Sequence, residues 1–213
     1  MSGAGGTSGT TGTTGTTGTT GTTGTTGTTG TTGMAPATCA PRPADSHTLA
    51  EATHLLHLEA WLLDHHRLTE WLALYTADAT YWVPLEANQP DPLQTSSIIY
   101  DDHLLMTVRV QQYAEARAHA RRPVTRTVHQ VSNVMLLDAL ADAKRSPTPN
   151  SSAADIHIAS ALTVVQYRLE RQRVWGACVE HHLRRTADGL RIAAKRIDLV
   201  NSEAELDGIT ILF

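Results

Sequence analysis

From residue 47 onward the apolar positions follow two different periods, and the change of period divides the chain. Between 47 and 66, Leu49, Ala52, Leu56, Ala60 and Leu63 recur every three or four residues, and Leu55, Trp61 and Leu62 widen the stripe. That spacing predicts an amphipathic helix, and Asp45 or Ser46 supplies an oxygen to cap its start. A short second helix is predicted over Thr69–Leu74, capped by Thr69. Thr80-Tyr81-Trp82-Val83, aromatic and β-branched and closed by Pro84, reads as a strand. Residues 86–95 read as a polar, proline-containing loop. Ser97-Ile98-Ile99-Tyr100 predicts another short strand, with Asp101 or Asp102 capping a third helix through Leu104, Leu105 and Val108.

After Pro123 the period falls to two. Val124–Leu137, Ile156–Leu169, Val174–Arg185 and Leu190–Val200 are long, β-rich and roughly alternating. The breaks between them fall at Ser146–Ser151 and at Asp188-Gly189. Helices first and then a run of neighbouring strands argue for an α+β fold. The sheet is expected to be curved and mostly antiparallel, a cone whose mouth the N-terminal helices cover. Ahead of it, residues 9–32 are a Gly-Thr-Thr repeat with no charge and no large apolar group. Such a segment buries too little to offset its conformational entropy. Collagen-like spacing of glycine is not enough, because the repeat contains no proline. The expected organisation is a disordered tail over 1–33, a linker over 34–46 and a cone domain over 47–213. Met34 follows the repeat, and two readings stay open: the tail belongs to the native protein, or Met34 is the true start; an intact mass that includes the tail excludes the second.

Composition narrows the function classes. The chain has 213 residues, 41% hydrophobic and 18% charged, which suits one globular domain. A formal net charge of −4 gives no electrostatic basis for nucleic acid or an anionic membrane surface. No stretch approaches the ~20 apolar residues of a membrane span, and no basic segment precedes an apolar one as in a secretory leader. The two cysteines, Cys39 and Cys178, are distant and differ in context, so a disulfide framework is not expected and a reducing cytoplasm is.

Redox metal chemistry finds few of its ligands. A Rieske cluster needs two Cys and two His in paired short motifs, and Cys39 and Cys178 do not offer that pairing. Among 11 histidines, His54 and His57 share one helix face, and Glu51-x-x-His54 resembles half of a di-iron motif whose second half is missing. A solvated helix edge is the simpler reading. His65-His66 and His181-His182 are adjacent pairs; in a strand such neighbours face opposite ways, and both pairs read as surface histidines. Cys178 reads as a packed small hydrophobe. No phosphate-binding glycine loop or nucleophile elbow is present. Tyr100-Asp101-Asp102-His103 is either a helix-capping cluster or an acid/base group at the mouth of the cone. In Arg126–Val134, alternation puts Arg126, Val128, Gln130 and Ser132 on one face and Thr127, His129, Val131 and Asn133 on the other. His129 is then either a general base or a hydrogen-bonded core or interface residue.

Several of these segments, in order, resemble one family. They are Glu59–Asp64, Glu70–Tyr75, Asp78–Pro84, Ser97–Asp102, Arg126–Val134 and Lys195–Asn201. Their content and spacing are similar to the β subunits of aromatic-ring-hydroxylating dioxygenases, over roughly 47–213. The resemblance implies the cone fold shared with scytalone dehydratase and ketosteroid isomerase. It implies a large α subunit as partner, carrying the Rieske [2Fe-2S] cluster and the mononuclear Fe(II), in an α3β3 hexamer. It also implies electrons from NADH through a reductase and often a ferredoxin, and cis-dihydroxylation of an arene. This chain is then expected to hold no cofactor or metal and no catalytic residue. Interface and folding roles fall to Tyr81, Trp82, Tyr100, Asp101, Asp102, Arg126, His129, Ser132 and Asn133. The competing reading is a stand-alone cone-fold dehydratase or isomerase using Asp102 and His129, or a binding module with an apolar pocket. The first of these requires both side chains to line one enclosed cavity.

Overall fold

The computed structural model describes residues 46–86, 89–119, 124–137, 155–204, 206 and 208–213, without the side chains of 116–119. The expected tail, almost all of the expected linker including Asp45, and the Ser/Pro-rich break at 146–151 lie outside the described residues. The elements run α1 (Ser46–Asp64), α2 (Leu68–Leu72), β1 (Tyr75–Pro84), β2 (Ser97–Asp102), α3 (His103–His119), β3 (Arg126–Leu136), β4 (Ile156–Arg168), β5 (Arg171–Thr186) and β6 (Gly189–Leu199). The helices precede the long strands, as the change of period predicts.

The strands form one six-stranded sheet in the order β2-β1-β6-β5-β4-β3. Every pairing is antiparallel except β1 with β6, which is parallel. α1 and α2 precede the sheet in the chain, and α3 lies between β2 and β3. α1 packs on β3 and β6, and α3 on β1. The result is an α+β cone: a curved sheet wrapped round α1, with Leu56, Tyr81, Ile158, Leu183, Ile192, Ile197 and Phe213 fully buried between them. No helix among the described residues is long and apolar enough to cross a membrane.

Local chemistry explains the element ends. Asp102 Oδ1 accepts the Leu105 amide at 2.8 Å, so Asp102, not Asp101, caps α3. Asp101 instead turns to Arg109, nearly two turns into α3, with contacts of 2.5 and 3.0 Å that pin the helix to β2. The β5–β6 hairpin closes over Ala187-Asp188 with Gly189 at φ +109°, a value that favours glycine.

Several expectations are corrected. Thr69 does not cap α2, which begins at Leu68; Arg67 precedes it with no side-chain cap. Arg67 forms an ion pair with Glu70 instead. β1 starts at Tyr75, five residues before the predicted strand, because Tyr75 already pairs with Ile192 of β6 and the register shifts between it and Thr80. Trp61 does not join the buried stripe of α1; it is 44% exposed and stacks on His65 at 4.1 Å. Asn133 does not share the inner face with His129. It takes φ +52° where the register of β3 against β4 shifts, and from there Val134 and Leu136 turn inward instead. Cys178 is exposed on the outer face of β5, since Trp175, Ala177 and Val179 take the inward positions. His181 and His182 are both buried, because the register of β5 against β6 shifts directly after them.

Candidate functional site

The interior of the cone holds a buried polar network centred on Glu59. This carboxylate lies on the core-facing stripe of α1, among Leu55, Leu56, Leu62 and Leu63. Glu59 Oε1 accepts three hydrogen bonds, from Lys195 Nζ of β6 at 2.8 Å, from Tyr75 Oη at 2.6 Å and from Trp71 Nε1 at 3.2 Å. His181 Nε2 of β5 lies 3.2 Å from Oε2. A carboxylate taken from water demands such partners. Burial by itself would raise the Glu59 pKa; the Lys195 ammonium and His181 outweigh it and hold the group well below the usual carboxylate range. Burial lowers the His181 pKa, so its imidazole is neutral. Burial, and next the Glu59 charge, raise the Tyr75 phenol far above its ordinary value.

A second cluster closes the cone beside the first. Asp64, the last residue of α1, accepts the His129 amide at 2.9 Å and the Thr127 hydroxyl at 2.9 Å, and lies 2.6 Å from His129 Nδ1. The other ring nitrogen of His129 donates to the main-chain oxygen of Leu212 at 3.0 Å. Burial acts to raise the Asp64 pKa, and the hydrogen bonds from His129 more than reverse it. The Asp64 carboxylate also covers a backbone N–H on the outer edge of β3, the last strand of the sheet.

Between the two clusters lies a cavity of about 10 Å³, lined by Glu59, His129, Ser160, His181, Lys195 and Phe213 among others. It has room for roughly one water molecule, and small-molecule pockets are typically about 300–1,000 Å³.

The residues singled out from sequence fall in several places. Tyr81 is fully buried, its hydroxyl accepting the Phe213 amide at 2.9 Å. Trp82 is buried under the Arg196 guanidinium, 4.4 Å from the ring centre, and donates to Ser97 Oγ at 2.9 Å. Tyr100 is half-buried, and burial raises its pKa. Arg126 is exposed and lies over the Tyr167 ring at 4.8 Å. Ser132 and Asn133 are exposed at the β3 bulge. Asp102 is occupied as a helix cap and does not line the cavity that His129 lines. The acid/base pairing of Asp102 with His129 is therefore not what the fold assembles. Glu59, His181 and Lys195 were not read as a site. The available signal was a carboxylate in the middle of an apolar helix stripe, which in a folded core must find a cation.

Metal ligation does not fit these side chains. Both ring nitrogens of His129 are engaged, His181 faces Glu59 in the core, and Cys178 stands exposed on the outer face of β5, away from the buried His181. Among the described residues no group of three or more His, Cys, Asp or Glu is set to hold a metal ion.

The opposite side of the sheet is equally informative. Val128 on β3 and Val174 on β5 flank Val165 of β4 and are 62% and 64% exposed; Val200, just past β6, is 81% exposed and sits over Gly176. No described element covers this face. Over β1 and β6, by contrast, Gln89 reaches back, its carbonyl accepting from Arg196 at 2.8 Å.

A curved six-stranded sheet around a central helix, with its interior filled, places the protein among the α+β cone folds. Solved structures agree. The β subunit of benzoate 1,2-dioxygenase from Burkholderia mallei superposes with a TM-score of 0.58 at 24% identity, over 72% of this chain and 91% of that one. A protein from Novosphingobium aromaticivorans proposed to be a scytalone dehydratase gives 0.51 at 10% identity, over 73% and 85%. The family model for the ring hydroxylating beta subunit matches residues 58–205. The small oxygenase component of the p-cumate 2,3-dioxygenase system of Pseudomonas putida is 34% identical over 70% of this chain and 77% of its own length. The benzene 1,2-dioxygenase subunit beta of Pseudomonas putida is 29% identical over 62% and 69%. The chain belongs to the family of β subunits of aromatic-ring-hydroxylating dioxygenases.

Proposed function

We propose that this chain is the structural, non-catalytic small subunit of an NADH-dependent dioxygenase that cis-dihydroxylates an arene in the cytoplasm. The observation that carries this reading is the uncovered apolar sheet face of Val128, Val165, Val174 and Val200. Apolar surface left open on an otherwise well-packed domain is characteristic of a protein–protein interface. The filled cone supports the same reading, since it leaves no space for an arene beside an acid or base. In this reading a large α subunit carries the Rieske [2Fe-2S] cluster and the Fe(II), in an α3β3 hexamer fed by a reductase and a ferredoxin. Arg126 with Tyr167, and Ser132 with Asn133 at the bulge, are accessible for contact. Tyr81, Trp82, Asp101, Asp102 and His129 serve folding, and Tyr100, half-buried, stands between the two roles.

Coexpression of the chain with a large oxygenase subunit from the same genome, followed by size exclusion and iron analysis, tests the proposal. The expected result is one iron-containing hetero-oligomer. A small subunit that elutes alone and iron-free beside a folded large subunit would overturn it.

A further inference from the structure

The segment Ile211–Phe213 sits inside the cone in an unusual way. All three residues are buried, yet they belong to no strand. Side chains from three strands meet the main chain instead. His129 of β3 donates to the Leu212 oxygen at 3.0 Å, and Lys195 of β6 to the Phe213 oxygen at 2.6 Å. Tyr81 of β1 lies 3.4 Å from the same oxygen and accepts the Phe213 amide at 2.9 Å. The Phe213 ring meets Trp175 edge to face, with centroids 5.7 Å apart and planes at 76°. Beside the ring lies the small cavity, and His181, one of its lining residues, is only 2% exposed and has a buried Nδ1 with no hydrogen-bond partner. The fixed wall of the cone thus presents a slot for one aromatic ring, with donors aimed at oxygens beside it. Ordinary core packing needs the ring but not the converging donors, because buried backbone is usually satisfied within the sheet.

We propose that the cone interior is a binding site for an aryl carboxylate, and that the chain's own Ile211–Phe213 segment occupies it as a stand-in. Phe213 takes the place of the arene, and the main-chain oxygens of Leu212 and Phe213 take the place of the carboxylate. A ligand binds only when the segment withdraws, so its apparent affinity is reduced by the fraction of molecules that are open. The site performs no chemistry in this account. It adds a small-molecule response to a subunit whose assembly role is a separate matter.

Phe213→Ala in the full chain removes the ring that seats the segment, so the segment withdraws more often and leaves His129 and Lys195 open to a carboxylate. An apolar cavity of about 150 Å³ is enough to admit benzene in an engineered protein, so the vacated slot plus the existing void can take a phenyl ring. Calorimetry with benzoate is expected to show binding at least about tenfold tighter to the Phe213→Ala chain than to the wild type, with toluene weaker than benzoate. A folded variant that does not bind benzoate overturns the proposal, and equal binding of toluene overturns the carboxylate assignment. Should the variant not fold, hydrogen exchange on the wild-type chain decides. Faster exchange of the Leu212 and Phe213 amides in saturating benzoate supports displacement of the segment, and unchanged exchange refutes it. Neither result bears on whether the chain co-elutes with a large subunit, so failure of this site and failure of the subunit reading are separately visible.

Discussion

Four donors converge on the two carboxylate oxygens of Glu59, and the consequence of losing it is unequal to that of losing any one of them. Glu59→Leu strands the Lys195 ammonium in the core, where an uncompensated buried charge costs about 3–5 kcal/mol. Urea unfolding is expected to show a loss of that size, and a loss under about 1 kcal/mol would mean that Lys195 is already neutral. His182 sets a pH dependence. Burial, and next His157 stacked on it at 4.1 Å, lower its pKa to about 4. The unfolded chain therefore takes up this proton first as pH falls. The stability that neutral His182 contributes is complete above about pH 6.5 and is lost progressively toward pH 4, by about 1.4 kcal/mol per unit. His181 acts in the same direction. His182→Gln is expected to flatten the pH 5–7 slope of unfolding free energy, and an unchanged slope would remove His182 from the account.

At the scale of elements, two turns carry opposite chemistry. Asp102 caps α3 through the Leu105 amide, and Asp102→Ala is expected to cost about 1 kcal/mol. The β4–β5 hairpin turns on Leu169 and Glu170 at φ +50° and +60°, where Asn-Gly is the favoured pair. A non-glycine residue in the left-handed region costs roughly 1–2 kcal/mol. Glu170→Gly is thus expected to raise the melting temperature by about 2–4 °C; a decrease would show that the Glu170 side chain contributes more than its backbone costs. Both elements were visible in sequence, the cap as an acidic residue ahead of an apolar run and the strands as alternation. The turn itself was not, because Leu169-Glu170 lacks the glycine that marks such turns, and only the pairing of Arg168 with Arg171 shows it.

At the scale of the whole molecule, the fold divides its apolar surface between a full interior and an open exterior. Val174→Asp places a charge on the open face without entering the core. It is expected to leave the circular dichroism and unfolding midpoint of the isolated chain within about 0.5 kcal/mol of wild type. In coexpression it should abolish or strongly weaken the hetero-oligomer. Retained assembly would move the interface elsewhere, with Arg126 and Tyr167 the next surface to change.

The sequence by itself determined the order and kind of elements, because side-chain period is a local property. A stripe every three or four residues can only be a helix face, and the long alternating runs after Pro123 can only pair as strands. It also carried the family, in six short segments whose order is independent of how they pack. What only the tertiary structure decided is which polar residues meet. His129 was separated by sequence from Asp64 and Leu212, Glu59 from Lys195 and His181, and Phe213 from Tyr81, and no spacing rule relates them. Shifts of register decided more: the one after Ser132 turned Asn133 out to solvent, and the one after His182 kept two adjacent histidines inside. A single-residue slip exchanges the two faces of a strand, so alternation predicts a face only as far as the next bulge.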